Sequence, residues 1–460
     1  MNSRVARLGV GKSVLDVDPP RDKPGKGIPV SRTNRIVSNS FANHEPCDPL
    51  GARSVVGRRR AKHRHGRGLG GKISACLRIL PSYAWQRLTR RLPPGPVHLM
   101  IALADHFEPA IVPGSGFARA TRGEQERRVE LWCREYPKLA DRWRDSDGRP
   151  FNHTYFYPAE QYDRALIGHL AEHCHAGWGE TEIHLHHGVG APDTAESTRH
   201  QLLEFRDVLA SDHGCLCYLD GSGSPRYAFV HGNFALANSA AGRGCGVDNE
   251  MQVLAETGCY VDMTLPAGVF HPAQTGKINS LYECALPMDR RAPHRRGRDL
   301  ERGRSPLVFP LIVQGPLMLD FDLPVRPVRS NQIGIENGAL TGPNPPSLRR
   351  LRLWKQAAVA VQGRPDWLFI KLHCHGMDPT QQDALLGSPM RQFLCDLVDR
   401  ARERGEVLHF VSAREMVNII LAACEAREGN PGEYRDYRFK RARATSSDCR
   451  REASLFGLKG

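Results

Sequence analysis

Three short segments of the 460-residue chain each end an apolar run in side chains able to bind a metal: Leu99–Glu108 (LMIALADHFE), Glu182–His187 (EIHLHH) and Phe369–His375 (FIKLHCH). Neutral imidazole and carboxylate oxygen suit Zn²⁺ and similar divalent ions, and three protein ligands with one open position make a catalytic site. In the first segment Asp105 follows the apolar run, so that Asp105, His106 and Glu108 offer one or two ligands. In the second, His184 and His186 share one strand face, and His187 takes the other unless the strand has already ended, which Gly188 permits. In the third, His373 and His375 alternate, and an imidazole that titrates close to neutral pH can act as general acid. The candidate metal ligands are therefore Asp105, His106, His184, His186 and His187, around one divalent ion with zinc expected. The candidate catalytic groups are Asp105, Glu108, His373 and His375. Each has a structural alternative: Asp105 as a helix cap, the histidines as hydrogen-bonded clusters.

Strands must deliver these groups. Each segment reads as a buried strand presenting its polar end at the C-terminal edge, where α/β barrels and open α/β sheets assemble their sites. Further strands are expected at His153–Tyr157, Tyr227–His231, Tyr260–Leu265, Leu307–Val313 and Val407–Val411. Helices are expected at Ser82–Arg91, Gly123–Trp143 with a break at Pro137, Asp163–His175, Thr194–Leu209, Asn249–Thr257, Leu348–Val361, Pro389–Arg404 and Ala413–Ala426. The alternation means an α/β fold with a mainly parallel sheet, open or closed as a barrel. Two softer segments lie nearby: Tyr157 and Glu160 on one rim, and His231-Gly232-Asn233, where Gly232 allows close backbone approach.

Composition bounds the partners. The net charge of +14 resides mostly in residues 1–75, which hold 16 Lys and Arg against 5 Asp and Glu. A nucleic-acid reading therefore applies to that leader at most, and no specific nucleic acid is expected. Arg58–Arg67 offers only weak contact with anionic surfaces. No stretch approaches the roughly 18 unbroken apolar residues of a membrane span. The 13 cysteines are odd in number and contain no C-x-x-C pair, which suits a reduced, cytoplasmic protein. The expected organisation is a basic, disordered leader over 1–80, an α/β domain over 81–426 with an arginine-rich surface loop at 288–304, and a polar, frayed tail over 427–460.

In order, the motifs resemble those of the polysaccharide deacetylase (NodB-like) superfamily. The acid-ending strand is LMIALADHFEP, the aromatic strand is Thr154–Tyr157, the histidine motif is His184–His187, the third strand is Ala228–Asn233, and the late L-H motif is Leu372-His373. The resemblance spans about residues 95–415. It implies a distorted (β/α) barrel of the NodB/glycoside hydrolase-deacetylase type and one divalent metal. The implied activity is hydrolysis of acetyl groups on an amino sugar or glycan precursor, as in bacterial surface-polysaccharide (exopolysaccharide) metabolism. It also makes His373 the matched acid, with His375 two residues toward the rim. The chain departs from that pattern in having Ala104-Asp105 where two adjacent acids are usual, histidines two or three rather than four apart, and no Arg-Pro in the third motif. Two other readings stay open: a non-catalytic glycan- or partner-binding descendant, favoured by Ala104, and another H-x-H metallohydrolase of the amidohydrolase type, which would call for a ligating Lys and a late Asp.

Overall fold

The computed structural model describes residues 69–115, 118–320 and 334–442. Most of the basic leader, residues 1–68, and the end of the tail, residues 443–460, lie outside the described residues. Fourteen strands are present among the described residues: β1 (His98–His106), β2 (Thr154–Pro158), β3 (Glu180–Leu185), β4 (Cys217–Leu219), β5 (Pro225–His231), β6 (Cys259–Asp262), β7 (Leu281–Cys284), β8 (Gly297–Asp299), β9 (Leu311–Val313), β10 (Met318–Asp320), β11 (Gly334–Glu336), β12 (Trp367–Cys374), β13 (Val407–Phe410) and β14 (Phe439–Arg441). The main sheet runs β12-β1-β2-β3-β5-β6-β9-β7-β8, with β13 beside β1 and β4 and β14 appended to β5. Pairing is parallel from β12 through β9 and antiparallel at β7 and β8.

The sheet is buried on both faces, which is why its strands read as continuous apolar runs. Along β1, Leu99, Ile101 and Leu103 join one apolar layer with Trp132, Tyr136, Leu170 and Leu202 of the covering helices. Met100, Ala102 and Ala104 point into a second layer with Phe156, Val230, Val313 and Phe369. Register then does the positioning. Ala104 pairs with His373, Pro158 with His184, and Leu185 with His231, so the polar ends of β1, β2, β3, β5 and β12 finish together.

The sheet does not close into a barrel. Among the described residues no ladder joins β12 or β13 to β8 or β9. Among the described residues the other edge of β12 carries the isolated bridge Ala339–His373 and a hydrogen bond from Phe369 N–H to the Val359 carbonyl at 2.9 Å, not a paired strand. The segments that would have to close it hold Pro306, Pro310 and Pro316 and, later, Pro343, Pro345 and Pro346, and proline lacks the N–H a central ladder requires.

Other departures from the sequence reading share one cause, tertiary partners far away in the chain. The first helix is Leu69–Thr89, not Ser82–Arg91, and it passes through Pro81. Its Ile79 packs with Val269, Ile278 and Leu317, and Arg78 and Gln86 donate to the carbonyls of Gln274 and Ile278 at 2.7 Å. The helix Arg122–Ala140 likewise continues past Pro137. The tail expected to be frayed is anchored as far as Arg441: Arg435 is buried and donates to Asp145 at 2.8 Å and Asp147 at 3.0 Å, and β14 pairs with β4. Within the arginine-rich loop, Gly297–Asp299 forms β8, and Arg291 and Arg295 donate to the carbonyls of Asn238 and Ser239.

Candidate metal centre

At the C-terminal edge of the sheet, Glu108 stands among four histidines. Its Oε1 lies 3.3 Å from His184 Nε2 and 3.9 Å from both His186 Nε2 and His375 Nε2. Two ligand-capable groups share this carboxylate: Glu108 with His184 and His186, and Glu108 with His106 and His375, each with its donor atoms within 4.8 Å. The His106 ring lies 4.7 Å from that of His375 and 5.0 Å from that of His184.

Outer contacts settle which nitrogens face inward. His184 Nδ1 lies 2.7 Å from the carbonyl oxygen of Val230, an acceptor only, so Nδ1 carries the proton and donates. Burial lowers the pKa of His184, holding the ring neutral. Its Nε2 is then a bare lone pair; it is buried and has no hydrogen-bond partner, with a carboxylate oxygen 3.3 Å away. Two facing lone pairs at that distance repel unless a cation lies between them, and this orphaned nitrogen fits a bound metal. His186 is held by Glu160, whose Oε1 accepts from Nδ1 at 2.9 Å and whose Oε2 accepts from the backbone N–H at 3.2 Å. This carboxylate–histidine pairing fixes the tautomer and orientation of a metal-binding imidazole.

The backbone makes room for the cluster. A Cβ on Gly232 would stand 2.3 Å from the His186 ring, so the close approach expected of Gly232 is to this imidazole. Beyond β3 the chain passes His186 and His187 on opposite sides, and His187 leaves the cluster to meet His231 and Glu250.

Two further sequence candidates also stand outside it. Asp105 is fully buried; its Oδ1 accepts from Gly376 N–H at 2.6 Å and its Oδ2 lies 3.6 Å from His153 Nδ1. It therefore pins the turn that follows His375. His373 is buried behind His106, their rings 6.2 Å apart, with Nδ1 unpartnered. Burial first, then nearby Lys371, pushes its pKa well below the ordinary value. Lys371 donates to the Met263 carbonyl at 2.8 Å.

The structure thus brings together His106, Glu108, His184, His186 and His375, with Glu160 behind them. The buried histidine and carboxylate clusters could hold a metal ion. Sequence reasoning gave no role to Cys245, in a glycine-rich loop without periodic signal, or to Glu250, although the helix that Glu250 begins was expected at Asn249–Thr257. No helix among the described residues is long and apolar enough to cross a membrane. No protein-family model matches the chain, and no curated protein matches it.

Proposed function

We propose that this protein is a metal-dependent hydrolase that removes an acyl group, acetyl first among them, from an amino sugar or glycan precursor, in the manner of the polysaccharide deacetylase superfamily its motifs resemble. The observation carrying this reading is the lone-pair convergence of Glu108, His184 and His186 at the C-terminal strand edge. These three residues hold the ion, and zinc suits a His₂Glu set with one position left open. A divalent ion in this place supplies Lewis acidity toward the acyl oxygen and lowers the pKa of water.

The chain's own groups do the rest. Glu160 and the Val230 carbonyl orient the two imidazoles. His375, with 29% of its side chain exposed and 3.9 Å from Glu108, carries the proton toward the leaving amine. Asp105 positions His375 through the Gly376 N–H. The described cysteines are all free, which fits work in a reducing cytoplasm of a surface-polysaccharide pathway.

One observation favours a second reading. Asp105 turns away, Glu108 sits among the ligands and Glu160 is held by His186, so none of these three carboxylates is left as a base. That suits a glycan-binding descendant. The test is acetate release from a panel of N-acetylated sugars and oligosaccharides by the zinc-loaded protein. Turnover is expected, and Glu108→Gln is expected to abolish it. A metal-loaded wild type without turnover on any member makes the binding reading the correct one.

A further inference from the structure

A second constellation stands apart from the hydrolytic centre and does not depend on it. His187, His231, Cys245 and Glu250 are all buried, and their ligand atoms lie within 4.8 Å of one another. His187 Nε2 is 2.9 Å from His231 Nε2 and 2.9 Å from Glu250 Oε1, and His231 Nε2 is 3.3 Å from the same oxygen. We infer that these four side chains form a closed, four-coordinate structural zinc site.

Three features carry the inference. The first is tautomer. His187 Nδ1 faces Asp193 Oδ2 at 3.1 Å and Thr198 Oγ1 at 3.2 Å, and the Thr198 hydroxyl donates to Asp193, so Nδ1 must be the donor. His231 Nδ1 faces the Gly232 carbonyl and donates in turn. Both Nε2 atoms therefore aim inward beside a carboxylate oxygen. Two imidazole lone pairs turned toward one carboxylate oxygen are a donor set that suits zinc.

The second is the sulfur. Cys245 Sγ accepts from two backbone N–H groups, Asn238 at 3.3 Å and Val247 at 3.4 Å. Backbone N–H groups aimed at the sulfur favour the thiolate, the form that binds metal. Sγ also lies 3.4 Å from Glu250 Oε2 and 3.8 Å from the Val247 carbonyl oxygen, so it is in reach of the same carboxylate as the two imidazoles.

The third is the frame. Gly188 has φ +62°, and a Cβ there would stand 1.7 Å from the Cys245 carbonyl oxygen. Gly244 N–H donates to the Gly188 carbonyl at 3.0 Å and Asp193 N–H to the Cys245 carbonyl at 2.8 Å. Two loops are thereby locked with their ligands facing. Glu250 Oε2 is held by the Ala237 N–H, leaving Oε1 for the ion. Four ligands with no open position and no exposure make a structural site. It fastens the ends of β3 and β5 to the start of the helix Glu250–Thr257.

Cobalt loading of the full-length protein tests this, because among the described residues this is the one ligand-capable cluster that contains sulfur. A thiolate-to-cobalt charge-transfer band in the near ultraviolet, one such ion per chain, is expected in the wild type and in Glu108→Gln, and its loss in Cys245→Ser. Should Cys245→Ser not fold, Glu250→Gln carries the test, with at least a roughly tenfold weaker affinity for the sulfur-ligated ion expected. A cobalt-loaded wild type without the band, a band that survives Cys245→Ser, or an unchanged affinity in Glu250→Gln overturns the assignment. Loss of turnover with the band intact bears on the hydrolase reading alone.

Discussion

Glu160 is the sharpest lever on the Glu108 centre because it touches no expected substrate and acts through His186. It makes two contacts, to His186 Nδ1 at 2.9 Å and to the His186 backbone N–H at 3.2 Å. Burial alone would raise its carboxyl, but the His186 contact reverses that and holds it below its ordinary value. Both bonds are accordingly charge-assisted, about twice as strong as neutral ones. Glu160→Gln keeps one carbonyl acceptor and loses the charge, whereas Glu160→Ala loses both bonds and leaves His186 free to rotate. Removing such an outer partner typically weakens metal binding by about 10–100-fold, or roughly 1.4–2.8 kcal/mol. The glutamine variant belongs near the lower figure and the alanine variant near the upper. Zinc affinity is measured near neutral pH by competition with a chromophoric chelator, with the sulfur-ligated ion followed separately through its cobalt band. The melting temperature of the metal-free variants serves as control, since a purely structural Glu160 would move that instead. An affinity in Glu160→Ala within twofold of wild type would refute the claim that His186 is a ligand held by this carboxylate.

Three other outcomes are expected. His375→Ala should lower kcat by roughly 10²–10⁴-fold while zinc stays bound, and undiminished turnover on an acetylated sugar removes His375 from the mechanism. Arg435→Ala should lower stability by about 3–5 kcal/mol in denaturant unfolding, because it leaves the buried Asp145 carboxylate without its cation; a change under about 1 kcal/mol would mean the tail anchor is dispensable. For Asp147, burial alone would raise the carboxyl, but bonds from Asn430, His409 and Arg435 bring it down to about 2. A depressed folded-state pKa contributes stability above the unfolded value and loses it as pH falls toward the folded one. The stability difference between wild type and Asp147→Asn should therefore be full near pH 6 and shrink between about pH 4 and 2, and a difference independent of pH would contradict that account.

Much of the frame was legible because parallel strands buried on both faces declare themselves as apolar runs. The strands ending at His106, Leu185, His231 and Cys374 were all read at nearly their observed positions. The three-residue strands β4, β8, β10, β11 and β14 were not, since segments that short carry no period to detect. Helix limits failed where docking outweighed local preference, as at Pro81. The open edge beside β12 was hidden for another reason: closure depends on which strands meet across the molecule, and a linear pattern holds no information on that. Arg435 in the tail and Asn418 in the helix that receives it show the same blindness. Their polarity suggests solvent, yet Asn418 donates to the Arg435 and Phe439 carbonyls at 2.7 and 2.8 Å from a fully buried position.

At the candidate sites, residue type was legible and direction was not. EIHLHH announced three ligands, and all three stand in ligand-capable clusters, but in two different ones. The division follows from the period-two geometry of an extended chain. His184 and His186 turn toward Glu108, while His187, one residue later, turns through Gly188 toward Cys245. Asp105 and Glu108 exchange expected places for a related reason. Asp105 is still within β1, where its side chain is committed to the interior beside His153, whereas Glu108 lies two residues past the strand end and can reach the rim. Adjacent histidines at a strand end thus let one short segment serve two centres, and the peptide between His186 and His187 is common to both. Whatever holds His187 in place also sets the direction from which His186 approaches Glu108, so the rigidity of the Cys245 cluster is part of the geometry of the Glu108 cluster.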